Sequence, residues 1–158
     1  MPVRKLSVSI HPVIMAEIEK RVEYENVSGT LNRCLDRYFA LLARSLAEWR
    51  SQLSDEECAL ILDATNGTAF ADTFSLSHLW AEIADAVDLD GLDRKWDVDG
   101  AALVGKIKTS GILGQTALID ASEQWWRRVA NGEQLAFGDL LPAQERGLRY
   151  PHNVPDED

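Results

Sequence analysis

Residues 5–10, Lys-Leu-Ser-Val-Ser-Ile, alternate strictly between polar and apolar side chains. In an extended chain Leu6, Val8 and Ile10 then point one way, and Lys5, Ser7 and Ser9 the other. No second segment nearby alternates in this way, and a lone strand cannot satisfy its own backbone hydrogen-bonding groups. The chain passes at once into helical spacing, with Pro12 suited to a first helical position and Ile14, Met15, Ile18 and Val22 on one face. A solitary strand followed by helices makes a poor monomer. It makes a good half of a dimer, in which the strand pairs with its copy as a two-stranded antiparallel ribbon.

The first helix is expected to stop at Glu25-Asn26, and Ser28 is expected to cap the next. Behind it Leu31, Cys34, Leu35, Tyr38, Leu42, Ser45, Leu46 and Trp49 recur at steps of three and four, which predicts one long helix over 29–50. Ser54 and Glu57 match a capping box ahead of a helix that ends near Asn66-Gly67. Further helices are predicted at about 75–87, 98–109 and 113–130. Nothing in 51–140 alternates like a strand. The expected architecture is mainly α: an N-terminal ribbon and two helices over 1–50, a small acidic helical bundle over 51–140 with Trp80, Trp96, Trp125 and Trp126 in or near its core, and a flexible polar tail over 141–158.

The formal charge of −10 over 158 residues is unevenly shared. Residues 1–50 carry eight basic and six acidic side chains, a balance of +2. Residues 51–158 carry eight basic and twenty acidic, a balance of −12. Screening confines surface fields to roughly 8–10 Å at physiological salt, so a DNA-facing head can coexist with an acidic body. That body should suppress non-specific nucleic-acid binding. No stretch has the ~20 apolar residues of a membrane span, and no N-terminal apolar run marks a signal peptide, so a cytoplasmic protein is expected. Cys34 and Cys58 lie in apolar helical patterns and read as free thiols.

The run Arg4-Lys5-Leu6-Ser7-Val8-Ser9-Ile10, then helix, then Val27-Ser28-Gly29-Thr30-Leu31, resembles the ribbon-helix-helix DNA-binding family of the Arc and methionine repressor type over residues 3–46. The resemblance implies that Lys5, Ser7 and Ser9 contact base edges in the major groove. It implies that Arg4, Ser28, Gly29 and Thr30 contact backbone phosphate, as the start of a helix can. The dimer core would comprise Leu6, Val8, Ile10, Ile18, Val22, Leu31, Leu35, Tyr38 and Leu42. His11-Pro12 departs from the small polar cap usual at that joint.

Enzymatic and metal chemistry have no foothold in the sequence. Asp88-Leu89-Asp90-Gly91 resembles part of a calcium loop, but setting Gly91 at the turn puts Ala86 in the first ligand position. His11, His78 and His152 are scattered, and no glycine-rich phosphate loop occurs. The expectation is therefore a homodimeric, sequence-specific transcriptional regulator on double-stranded DNA, a repressor, with no cofactor and no membrane association. The rival expectation is a protein-interaction module, antitoxin-like, inhibitory or DNA-mimicking, whose acidic helical region binds a partner protein.

Overall fold

A computed structural model of the chain describes residues 7–22, 26–66 and 79–141. These residues form seven α-helices and a short 3-10 turn, with no strand among the described residues. The helices are α1 (Pro12–Glu19), α2 (Val27–Arg50), α3 (Asp55–Thr65), α4 (Leu79–Asp90), α5 (Leu92–Trp96), α6 (Gly100–Thr109) and α7 (Gly111–Ala130), and the 3-10 turn is Phe137–Leu140. The chain divides into two compact units, one up to Phe39 and one from Ala40, with the boundary inside α2.

The mainly helical class holds, but the ribbon is overturned. Ser7, Val8, Ser9 and Ile10 belong to neither helix nor strand, and Val8 is 65% exposed where the alternation called for a buried face. The physical reason is that four to six extended residues gain no hydrogen bonds until another strand lies beside them. Alternation alone does not supply that strand. Arg4, Lys5 and Leu6 lie outside the described residues.

In the first unit, His11 caps α1 by accepting the Val13 amide on Nδ1 at 3.3 Å, and Pro12 takes the first helical position. The helix ends at Glu19, well before the expected Glu25. Glu17 lies in its last turn. Its carboxylate pairs with Lys20 at 2.8 Å and Arg21 at 3.0 Å, and the Arg21 guanidinium also donates to the Glu17 carbonyl. The Arg21 amide turns to the Ile18 carbonyl instead, a tighter closing turn.

The second unit is built around α3. Cys58, Ala59, Leu60, Ile61 and Leu62 are all buried, so this helix is apolar on nearly every side and takes neighbours all round. It packs on α4, α5, α7 and the 3-10 turn, while α6 packs on α4 and α7. Its start is the capping box that the sequence predicts: the Glu57 amide donates to Ser54 Oγ and the Ser54 amide to Glu57 Oε1, both at 3.1 Å. The indoles tie the helices together by their N–H groups. Trp126 donates to the Leu62 carbonyl at 3.2 Å and Trp125 to the Ala136 carbonyl at 3.1 Å. Trp125 is buried, whereas Trp80, Trp96 and Trp126 are half-buried. The five-residue α5 was not anticipated; Gly91, with φ of +64°, supplies the left-handed residue that separates it from α4.

Lys106 on α6 closes the junction between α2 and α3. Its ammonium donates to the Gln52 carbonyl at 2.8 Å and to both oxygens of Glu57 at 2.9 and 3.0 Å. The Glu57 side chain is mostly buried, so losing its counter-charge leaves a poorly hydrated carboxylate. Lys106→Met is expected to lower the unfolding free energy by about 1–3 kcal/mol, measured by denaturant titration. Glu57→Gln in the same background should recover part of that loss.

Candidate interaction face on the second helix

Asn26 begins α2, its Oδ1 accepting the Gly29 amide at 2.8 Å and its carbonyl the Thr30 amide at 3.0 Å. The cap is thus Asn26 and not Ser28, which sits exposed in the first turn. The difference is one of reach: an Asn oxygen three residues ahead meets the amide that a Ser28 cap would leave outside the helix. Of the residues implied as phosphate contacts, Ser28 is exposed and the Gly29 amide is already bonded. Thr30 is fully buried, and its hydroxyl has no hydrogen-bond partner among the described residues. Ser7 and Ser9, implied as base contacts, are both exposed.

From Val27 the apolar positions of α2 fall on one arc of about 120°, at 100° per residue. The environment along that arc changes abruptly. Leu42 is 2% exposed, Trp49 is 2% exposed, and Ser45 and Leu46 are buried with them. Trp49 Nε1 donates to the Gly114 carbonyl at 3.0 Å. Gly114 is needed there, because a Cβ would lie 2.4 Å from Ser110 Cβ and 3.5 Å from the Trp49 ring. Towards the N-terminus the same arc is uncovered: Leu35 is 40% exposed and Tyr38 41% exposed, with Val27 also exposed and Leu31 and Cys34 half-buried. Leu41, at the edge of the arc, is exposed as well.

Of the nine residues expected to form a dimer core, then, Ile18 and Leu42 are buried within the chain. Ile10, Val22 and Leu31 are half-buried, Val8, Leu35 and Tyr38 are exposed, and Leu6 lies outside the described residues. The sequence pattern marks the whole arc as apolar. It does not say which half the rest of the same chain covers.

Chemistry of other kinds has little support elsewhere. A cavity of about 470 Å³ opens beside Ser45, Trp49, Gly105, Lys106 and Ser110. Its one ammonium, Lys106, is already held by Glu57 and Gln52. No group of three or more His, Cys, Asp or Glu suited to a metal ion occurs among the described residues. The Asp88–Gly91 run forms the end of α4 and the bend into α5. No protein-family model matches the chain, and no curated protein and no solved structure matches it.

Ionisable groups in the second unit divide by environment. Burial pushes Asp63 up, yet hydrogen bonds from Lys95 and Trp96 outweigh it and hold the carboxyl below its usual range. On α7, burial pushes Asp120 up, and the Gln124 bond and the Arg127 charge only partly offset it. Glu123 is raised in the same way by burial. An acid whose folded-state pKa exceeds its unfolded value destabilises the fold wherever it is ionised, and that cost disappears as pH falls through the folded pKa. Asp120→Asn should therefore raise the melting temperature by a few degrees at pH 7, with the gain shrinking in scans taken towards pH 4.

Proposed function

We propose that the chain is a homodimeric DNA-binding regulator, a repressor working in the cytoplasm, whose first unit both pairs with a second copy and meets the duplex. The observation that carries this reading is the number of apolar side chains left exposed in the first unit. Of the eleven large apolar side chains exposed among the described residues, Val8, Val13, Ile14, Val27, Leu35 and Tyr38 belong to it. Apolar surface concentrated in this way is characteristic of association sites and costly to leave in water.

The DNA-binding part rests on the sequence. The resemblance to the ribbon-helix-helix family over residues 3–46 supports it, although no β-ribbon enters the proposal. The charge division supports it as well: with +2 before residue 51 and −12 after it, only the first segment suits a polyanion. Ser7, Ser9 and Ser28 are the exposed polar groups there, and Ser28 stands at the positive end of the α2 dipole. A dimer doubles these contacts and fixes their spacing, so discrimination between sequences would depend on pairing.

A second reading, a protein partner for the acidic helices, is favoured by Leu89. It is exposed on α4 in a run with Glu82, Asp85, Asp88 and Asp90, all exposed too. Such an apolar side chain among carboxylates suits a basic partner surface.

The two readings separate in one experiment. Leu35→Glu puts a charge at the centre of the uncovered arc, and burying it unpaired should weaken self-association at least ~100-fold, about 2.7 kcal/mol. Sedimentation of the full chain reads the dimer, and electrophoretic shifts on DNA flanking its own gene read binding. The dimer reading predicts that both are lost together while the helical circular dichroism stays. Unaltered DNA binding by a monomeric variant would refute it, and absence of any shift by the unaltered chain would favour the protein-partner reading.

A further inference from the structure

Gly105 stands in the interior of α6, where a glycine costs helix stability relative to almost any other residue. Packing gives a reason for two other helical glycines of the second unit. A Cβ at Gly100 would lie 2.8 Å from Val87 Cγ1, and one at Gly114 would lie 2.4 Å from Ser110 Cβ. At Gly105 a Cβ would meet nothing within 4 Å. Gly105 instead lines the cavity of about 470 Å³, whose walls come from the last turns of α2 and the junction of α6 with α7, all within the second unit.

Those walls carry hydrogen-bonding capacity that the fold does not use. Ser45 is 6% exposed and lines the cavity, yet its hydroxyl makes no hydrogen bond among the described residues. A hydroxyl enclosed to that degree ordinarily has a partner. Ser110 Oγ gives its proton to the Ile107 carbonyl at 2.6 Å, so towards the cavity it can only accept. Glu48, Gln52 and Thr109, all exposed, complete the polar lining.

The charge balance selects the ligand. Lys106 is held by both oxygens of Glu57 and by the Gln52 carbonyl, so among the described residues the lining has no free cation to receive an anion. Glu48 faces only Arg44, at 3.8 Å, with both side chains mostly in water, and a pair this loose is worth little. α6 ends and α7 begins at Ser110, so the partial charges of those two helix ends oppose each other. α2 ends beside the cavity with its negative pole. Acceptors and negative charge are in excess, and a group that only donates fits them.

We propose that this cavity binds a small primary alkylammonium ion. Its N–H donors are shared between Glu48 and the Ser45 hydroxyl, which stand one turn apart on the same face of α2. Its alkyl chain lies over Gly105. The site stands independently of the homodimer and DNA-binding readings.

The probe is n-butylammonium at pH 7, and the readout is the indole N–H resonance of Trp49, which lines the cavity and is bonded to the Gly114 carbonyl. Titration into the isotope-labelled full chain should shift that resonance saturably, in the millimolar range expected of a ligand with about five non-hydrogen atoms. Neither n-butanol nor butyrate should do so. Glu48→Gln, a change at an exposed side chain, should weaken binding at least ~10-fold with the fold intact. Gly105→Leu should abolish the shift while raising the melting temperature, because it fills the cavity and removes a glycine from a helix interior. The proposal is overturned by the absence of a saturable shift with butylammonium, or by an equal shift with butanol or butyrate. Unchanged affinity in Glu48→Gln or in Gly105→Leu overturns it as well.

Discussion

The hydrogen bond from the Trp49 indole to the Gly114 carbonyl fixes where α2 ends and what it buries. It joins residues far apart in sequence inside a close-packed region. It also depends on a glycine, since any Cβ at position 114 would collide with Ser110. The bond satisfies the one polar atom of a large side chain that is otherwise wholly enclosed, so the ring contributes its full apolar burial without an unpaired donor. With Leu42, Ser45 and Leu46 it consumes the C-terminal half of an apolar arc that extends three further turns towards Val27. What remains uncovered is a consequence of that anchoring: the helix is longer than the core available to it.

The second unit spends its charges on joints. Lys106 holds Gln52 and Glu57 together, Lys95 meets Asp63 at 2.6 Å, and Trp96 adds its N–H to the same carboxylate at 3.0 Å. These bonds sit where helices end, which is where backbone carbonyls and amides need partners. The excess acid lies on exposed faces, Glu82, Asp85, Asp88 and Asp90 on α4 among them. Exposed carboxylates of this kind repel a polyanion.

Much of the second unit was legible in advance. The Ser54–Glu57 box, the long α2 and the helices at 98–109 and 113–130 follow from caps and three-to-four spacing, which are local signals. The three features that differ at the N-terminus are the strand, the end of α1 and the start of α2. Alternation over 5–10 describes which faces a strand would have, not whether a second strand exists to bond it. α1 closes after Glu19 in a tighter turn, with the Arg21 amide on the Ile18 carbonyl, and α2 is capped by Asn26 in place of Ser28. Short α5 escaped because five residues between left-handed Gly91 and Asp97 carry too little periodicity to register. For the candidate face, the arc itself was visible in the sequence. Its division into covered and uncovered halves was not, because that depends on where Trp49 finds its cavity.

The central claim is that the uncovered half of the α2 arc is covered by a second copy of the same chain. Isotope-filtered NOE spectroscopy on an equimolar mixture of labelled and unlabelled full-length chains tests it at the atoms concerned. The account predicts intermolecular cross-peaks from the methyl groups of Leu31 and Leu35 and from the ring of Tyr38. A spectrum at several hundred micromolar that shows the intramolecular contacts of Leu42 and Trp49 but no filtered peaks from Leu31, Leu35 or Tyr38 would contradict it.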